Sequence, residues 1–311
     1  RQSLTPYVAT DSPRLCNQFE MSAESPTPIS REAGDKTKGY RFQKLRAAVR
    51  LLQRIADTPK GQTYCALEFI EDSAILSADD AVAVEENKQY SSSLSFNSGA
   101  IKNSLVAFLD ADAVFNYSKG LSFGLYASAE IADERVPAKT VQEVAPGHTG
   151  CTFGILRKLA FRTPLSDVET AIAKRLIENE YQAQYAGHNQ GKPLPPPPFA
   201  SWSNETFRTF LEKIDWTFGL EDNYAIESTA LELVRECPFF DHRHEGLENF
   251  LLPAITDLLE KRSHATSPIE RIVGVADIKN LFLEVLAKKR EEKIDPAHLE
   301  WDNEVATDKR N

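Results

Sequence analysis

The sequence has few cysteines and no long hydrophobic run. Its 311 residues include four cysteines, which lie far apart with no CxxC pair. This spacing excludes a zinc ribbon and a dense disulfide scaffold, and we expect reduced, mostly buried thiols. No run reaches the roughly 18 apolar residues that a membrane-spanning helix needs, so we expect a soluble, cytoplasmic protein that does not bind membranes. The phosphate-loop pattern GxxxxGK[ST] is also absent, which removes the standard signature of nucleotide hydrolysis.

Positive charge is scarce overall but locally concentrated. The 36 Lys and Arg residues are outnumbered by 46 Asp and Glu residues, and the formal net charge is −10. Overall attraction to DNA is therefore excluded, and any nucleic-acid surface must be a local patch. Residues 36–60 contain eight basic residues and a single acid, Asp57, and form the strongest basic segment.

Hydrophobic spacing predicts an ordered unit that begins after residue 35. Residues 1–35 hold the sole methionine, Met21, and a Ser/Pro-rich run, and we expect this segment to be flexible or an addition from cloning. Apolar steps of three and four predict helices, and short β-branched or aromatic runs predict strands. The predicted elements are a helix at 42–56, strands at 64–70, 73–76 and 81–88, a helix at 101–109 and a strand at 121–125. The order is αβββαβ.

The second half of the chain has a different character. After Arg157, helix patterns recur without convincing strands, and the segments 166–169 and 267–270 both fit a helix capping box. The proline run 195–198 interrupts these patterns, and we interpret it as a surface loop. We therefore predict one domain at 36–155 and a mainly helical domain at 156–311. Most of the aromatic residues in this half are expected to lie in the core.

A pair of carboxylates and a lysine are the strongest chemical signal. Alternation along the third predicted strand puts Val84, Glu86 and Lys88 on one face, and antiparallel pairing with the preceding strand brings Asp72 beside Glu86. Two carboxylates bind a hard cation such as Mg²⁺, and an ammonium group orients water or stabilises phosphate charge. A solvated strand end that binds nothing is the alternative interpretation. Glu85 would replace Glu86 as the ligand if the register were shifted by one residue.

The first predicted helix carries a polar ridge on its other flank. Gln43, Arg46, Arg50 and Arg54 follow one another at steps of three, four and four residues. This ridge is either a DNA-binding surface, in which the arginines contact phosphates, or an ordinary solvated face. The histidines His242 and His244 suggest a metal cluster only weakly, and we interpret them as part of a loop with ordinary hydrogen bonds.

The whole run resembles a known nuclease family. The motif resembles that of the PD-(D/E)XK nuclease fold: Asp72 is followed, after thirteen residues, by Glu86-x-Lys88, and both lie within the predicted αβββαβ order. Together with the opening residues 39–43 and the helix end at 104–109, residues 36–135 look like the N-terminal double-stranded-DNA nuclease domain of effectors in the CBASS and Lamassu anti-phage systems. The Lamassu nuclease subunit is the better match, because the helical half is too short and strand-poor for the nucleotide-sensing domain of CBASS effectors.

The resemblance implies a fold and a set of site residues. The fold would be α/β (α+β), with a restriction-endonuclease-like αβββαβ core and a mainly α-helical C-terminal domain. The site would consist of Gln43, Asp72, Glu86 and Lys88, with the backbone carbonyl of Asn87 as a further metal ligand. Asn87 departs from the family pattern, since the middle position of the motif is usually apolar.

The resemblance also implies an activity and its control. The chain would be a Mg²⁺-dependent endonuclease, with Mn²⁺ as a substitute, that hydrolyses phosphodiester bonds of double-stranded DNA. An SMC-like ATPase and a small accessory subunit would hold it inactive, and release would let it form an active homo-oligomer. The alternative is a non-catalytic adaptor that retains a nuclease-like fold and docks a defence complex.

Overall fold

The computed structural model describes residues 33–58, 61–68, 72–77, 81–114, 120–189, 197–219 and 221–292. Residues 1–32 of the predicted N-terminal segment, residues 69–70 at the end of a predicted strand and residues 195–196 of the proline run lie outside these ranges. The described residues from Gly34 onward belong to one compact unit.

The helices and strands follow the predicted order in the first half of the chain. They are α1 (Ala33–Asp57), β1 (Thr63–Leu67), β2 (Ser73–Ser77), β3 (Val82–Gln89), α2 (Gly99–Val114), β4 (Leu121–Ser128), β5 (Glu134–Arg135), α3 (Ala138–Val144), β6 (Thr152–Phe153), α4 (Ile155–Ala160), α5 (Asp167–Asn189), α6 (Asn204–Lys213), β7 (Ile214–Gly219), α7 (Asn223–Glu236), α8 (Glu248–Ser263), β8 (Val273–Gly274) and α9 (Val275–Glu292). The αβββαβ order from α1 to β4 is confirmed.

A mixed six-stranded sheet organises the molecule, so the fold is a mixed α/β arrangement. Its order is β7-β4-β3-β2-β1-β8. The strands β1, β2 and β3 form an antiparallel meander, whereas β3, β4 and β7 run parallel to one another. Strand β8 pairs antiparallel with β1 at the opposite edge.

Two strands correct the prediction for the second half. Strands β7 and β8 both follow residue 157, where no further strand was expected, and they form the two edges of the sheet. Strand β7 follows α6 without an intervening turn, and β8 has only two residues, so neither has the boundary signals of a strand. Residues on both sides of the predicted domain boundary at 155 therefore belong to one sheet. The predicted division into two domains does not account for this shared sheet.

Helices cover both faces of the sheet, and each face has its own hydrophobic core. The predicted stripe of α1, with Phe42, Leu45, Val49 and Leu52, is buried together with residues of α7, α8 and α9. The other face packs against α2, α5 and α6. Strand β3 supplies Val84 to this second core, so alternate residues of β3 face different helical layers.

Two local predictions have different outcomes. Ser166 and Glu169 form the predicted capping box at the start of α5, because Glu169 N donates to Ser166 Oγ and Ser166 N donates to Glu169 Oε2. Residues Pro268–Arg271 instead form a 3-10 turn in which the Ser267 side chain makes no cap hydrogen bond.

Within the described ranges, no helix combines the length and hydrophobicity that a bilayer crossing requires.

Candidate active site

The hairpin of β2 and β3 positions the two carboxylates. Ser73 pairs with Glu85 in the antiparallel register, which places Asp72 next to Glu86 as the sequence predicts. Both residues are buried, with exposed fractions of 9% for Asp72 and 5% for Glu86. Gln43, which α1 brings over this hairpin, reaches the same place.

Asp72 is held by hydrogen bonds from two other elements. Its Oδ1 accepts a bond from Nε2 of Gln43 at 2.7 Å, and its Oδ2 accepts one from the backbone N of Asn87 at 2.7 Å. The N–H and C=O of one residue point to the same side of a strand, so the carbonyl of Asn87 also faces Asp72. The orientation of the Asp72 carboxylate is therefore fixed by α1 and β3 together.

Glu86 and Lys88, which are two residues apart on the same face of β3, form an ion pair. The Lys88 ammonium contacts Oε1 of Glu86, and 22% of the Lys88 side chain is exposed. The other carboxylate oxygen, Oε2 of Glu86, is buried and accepts no hydrogen bond in the described structure. An unsatisfied buried carboxylate oxygen is unfavourable, because desolvation is not offset by a donor or a cation.

Burial and mutual repulsion alter the titration of this cluster. Burial, followed by the charge of Glu86, raises the pKa of Asp72 to about 7, although Lys88 and the two hydrogen bonds oppose the change. Burial alone would lower the pKa of Lys88, but the charges of Glu86 and Asp72 raise it overall. Lys88 is therefore cationic at neutral pH. Its single positive charge is not enough to balance the negative charges of both Asp72 and Glu86.

The residues present fit a divalent cation. Asp72 and Glu86 supply carboxylate oxygens, and the buried Oε2 of Glu86 has no hydrogen-bond donor among the described residues, so a cation could occupy that place. The Asn87 carbonyl is on the side of β3 whose N–H contacts Asp72. In the described residues, no group of three or more His, Cys, Asp and Glu side chains is arranged to hold a metal ion. The candidate ligand set thus rests on two carboxylates and a backbone carbonyl.

Glu85 lies on the opposite face of β3 and has a different set of partners. Nη2 of Arg46 donates to both Glu85 oxygens at 3.2 Å, and Nε of Arg50 is 3.3 Å from Oε2. The side chain of Glu85 is 12% exposed. The geometry therefore brings Glu86, and not Glu85, together with Asp72 and Lys88.

The three arginines of the α1 ridge have unlike environments. The side chain of Arg46 is only 14% exposed, and its guanidinium lies 3.5 Å from the centre of the Tyr126 ring. Arg50 is 39% exposed, and Nε of Arg54 donates to Ser77 Oγ at 3.3 Å. Arg46 is therefore less accessible to DNA phosphates than Arg50 is, and the phosphate contact stays a prediction for all three arginines.

Sequence reasoning missed the aromatic and acidic partners of Arg46. Tyr126 on β4 lies under its guanidinium, and the Tyr126 hydroxyl donates to Glu221, just before α7. Glu221 is far from α1 in sequence, and no motif links the two.

His242–His244 forms a 3-10 turn in which Nδ1 of His244 accepts a bond from Asp241 N, in line with the predicted loop role.

Comparisons with known proteins give only a distant structural likeness. No protein-family model and no curated protein matches the chain. The Acinetobacter baumannii Cap4 SAVED/CARF-domain receptor with the cyclic trinucleotide 3'3'3'-cAAA resembles it at a TM-score of 0.42 and 11% identity, over 82% of this chain and 46% of that one. A second structure of that receptor gives 0.42 and 13%, over 82% and 48%.

The Moraxella osloensis Cap4 SAVED/CARF-domain receptor gives a TM-score of 0.40 and 11% identity, over 83% of this chain and 50% of that one. The chain spans about half the length of these receptors.

Proposed function

We propose that the chain is a metal-dependent endonuclease that hydrolyses phosphodiester bonds of double-stranded DNA. The supporting observation is that Gln43 contacts Asp72 and Lys88 contacts Glu86 at one end of the β2–β3 hairpin, where Oε2 of Glu86 is buried without a partner among the described residues. A purely structural cluster would be expected to satisfy that oxygen.

Mg²⁺ is the proposed cofactor, and Mn²⁺ is expected to substitute. The carboxylates of Asp72 and Glu86 and the carbonyl of Asn87 would hold it, since hard divalent cations prefer oxygen ligands. When bound, the cation neutralises phosphate charge and increases the acidity of water. Gln43 and the backbone N–H of Asn87 keep the Asp72 carboxylate in one orientation, so the site is preorganised before DNA arrives.

Lys88 is the residue that we propose to orient the attacking water and to stabilise the negative charge on the scissile phosphate. Its ammonium has three protons, and Glu86 occupies only part of this donor capacity. The remaining N–H groups can orient the attacking water and donate to the phosphate oxygen on which negative charge increases. In the metal-free protein, the charges of Glu86 and Asp72 outweigh burial and raise the pKa of Lys88, so the free site holds a cationic ammonium.

The biological role that we propose is that of an effector in bacterial anti-phage defence. The resemblance of residues 36–135 to nuclease domains of such effectors supports it. The low attraction of a chain with net charge −10 for DNA bears on the control of activity, because a single subunit would bind DNA weakly. Inactivation by an SMC-like ATPase and a small accessory subunit, and activation through homo-oligomerisation, belong to the same proposal.

A non-catalytic adaptor is the second candidate. The observation that favours it is the depth of the site, because Asp72 and Glu86 are nearly covered and both already contact protein groups. Such an adaptor would bind its partners through the same fold and would leave DNA intact.

The test is incubation of supercoiled plasmid with the full chain and Mg²⁺ or Mn²⁺, with and without EDTA, beside Lys88→Ala. We expect linear and nicked products that require the metal and disappear in the variant. Intact plasmid with every metal and at every protein concentration would instead favour the adaptor. Cleavage that Lys88→Ala retains would point to a contaminating nuclease or to a different site.

A further inference from the structure

Helix α1 meets the hairpin through two polar contacts on neighbouring turns. Gln43 donates to Asp72, and Arg46, three residues later, donates to Glu85. Residues three apart lie on the same side of a helix, so the two contacts share one interface. A shift of α1 that breaks one contact therefore strains the other.

The contact between Arg46 and Glu85 is the more deeply buried of the two ion pairs of Glu85. Their side chains are 14% and 12% exposed, whereas that of Arg50 is 39% exposed. The Tyr126 ring covers the guanidinium of Arg46, and Glu221 in turn accepts a hydrogen bond from the Tyr126 hydroxyl. Arg46 thus has a fixed position relative to both β3 and β4.

We infer that Arg46 and Glu85 are positioning residues whose ion pair sets the hydrogen bond between Gln43 and Asp72. Glu85 directly precedes Glu86 in β3 and points to the α1 side, so it connects the strand that carries the site to the helix that carries Gln43. Removal of Arg46 leaves Glu85 with only the more exposed Arg50 as its partner, and removal of Glu85 leaves the buried charge of Arg46 without its ion pair. A shift of α1 away from the strand would relieve either change.

The effect of this ion pair on cleavage rests on the proposed function. Its effect on the hydrogen bond between Gln43 and Asp72 does not. In the proposed nuclease, Gln43 orients one oxygen of Asp72, and a displaced α1 would leave that carboxylate held only by the backbone N–H of Asn87. Arg50 contributes less, because it lies one turn further from Gln43 and is more exposed. It therefore serves as the matched control.

The first test reads the Gln43 contact directly in the full-length, metal-free protein. The side-chain amide of Gln43 is observed by nitrogen-15 NMR and is identified by its loss in Gln43→Ala. In Arg46→Gln and Glu85→Gln we expect this signal to move towards the position of a solvated amide and to exchange with water faster. In Arg50→Gln we expect it to stay near the wild-type position.

An unchanged Gln43 signal in both folded variants would overturn the inference. Circular dichroism checks that each variant is folded, and Arg46→Met, which also removes the charge but keeps an apolar stem, replaces Arg46→Gln if the latter does not fold. An equal change in Arg50→Gln would show that the whole arginine ridge, and not the pair of Arg46 with Glu85, positions the helix.

The second test uses cleavage. Arg46→Gln and Glu85→Gln should each lower kcat about tenfold with little change in KM for DNA, which is the rate equivalent of one hydrogen bond to a charged group. Added to Gln43→Ala, Arg46→Gln should cause no further loss, because both act on the same contact. Fully additive losses would contradict this. If the wild type does not cut DNA at all, the proposed nuclease fails, while the Gln43 signal still decides the positioning role.

Discussion

Lys88 and Glu86 form an ion pair that leaves Oε2 of Glu86 buried and without a partner among the described residues. Asp72, the neighbouring carboxylate, has a pKa raised to about 7 by burial and by the charge of Glu86. Both observations indicate the same deficit of positive charge at one point of the hairpin. A divalent cation at this point would correct the deficit, which is the physical basis of the predictions on the site.

Substitution of either carboxylate should abolish cleavage without unfolding the protein. Asp72→Ala and Glu86→Ala each remove a proposed metal ligand and also relieve the repulsion between the two groups, so the fold should persist. Plasmid cleavage, with circular dichroism as the check on folding, measures the outcome. Glu85→Ala should retain partial activity, since Glu85 faces Arg46 on the other side of β3. Loss of activity in Glu85→Ala alone would show that the register is shifted by one residue.

Replacing Asn87 with leucine should stabilise the protein. The Asn87 side chain is 3% exposed, and neither of its amide atoms makes a hydrogen bond to a described residue. Leucine has a similar shape and no polar atoms to desolvate, so the free energy of unfolding should rise by about 1 kcal/mol. Urea unfolding of the metal-free protein measures this. Cleavage should continue, because the proposed ligand is the backbone carbonyl; a destabilised Asn87→Leu would mean that the amide has a role in the folded protein.

The sequence predicted the placement of Asp72, Glu86 and Lys88 better than the surroundings of the candidate site, because that placement is local. Alternation along β3 and pairing with β2 are local, so they correctly brought Asp72, Glu86 and Lys88 together. The environment of Arg46 depends on Tyr126 and Glu221, which are 80 and 175 residues away in sequence. Helical spacing places Arg46 on a ridge but cannot say whether β4 covers that ridge.

The same distinction explains the fold. The strands β1 to β4 have β-branched or aromatic runs bounded by turn residues, whereas β7 continues directly from α6 and β8 has two residues. Their strand character comes from pairing with β4 and β1, which is tertiary context and not local propensity. The boundary predicted at residue 155 followed the change in local pattern and missed this pairing.

Glu169 should stabilise the protein in a pH-dependent manner. Although burial would raise its pKa, hydrogen bonds from Lys158 and Ser166 lower it overall. A folded-state pKa below the unfolded value means that this stabilisation is present above the unfolded pKa of about 4.3 and is lost as pH falls through the folded value. Glu169→Gln keeps a side chain that can complete the capping box but removes the charge that Lys158 contacts. It should therefore cost about 1 kcal/mol at pH 7 and less in acid. Urea unfolding at several pH values tests this; a cost that does not change with pH would contradict the assignment.

Arg50 and Arg54 should contribute more to DNA phosphate binding than Arg46, whose side chain is mostly buried. The double variant Arg50→Ala/Arg54→Ala should weaken DNA binding for all sequences alike and should lower the slope of log K against log salt by about one per lost phosphate contact. Arg46→Lys is the matched control, since it changes an interior arginine of the same ridge while keeping its charge. An unchanged slope in the double variant would make these arginines an ordinary solvated face.

Assembly should control activity. With a net charge of −10, a single subunit presents mostly repulsive surface to DNA, and only the basic segment at 36–60 opposes this. Several subunits would align several such segments on one duplex and would bring two active sites to opposite strands, so a weak binder would become an effective double-strand cutter.

We therefore expect the monomer to be nearly inactive and cleavage to increase with oligomer size. The full chain is the right sample, because removal of residues 161–311 would remove β7 and β8, the edge strands that pair with β4 and β1. Size-exclusion chromatography with light scattering separates the species, and each fraction is assayed on plasmid at equal subunit concentration. Glu86→Ala is run in parallel to separate assembly from chemistry, since it should form the same oligomers and cut nothing. A monomer that cuts as fast per subunit as the larger species would show that assembly is not the control element.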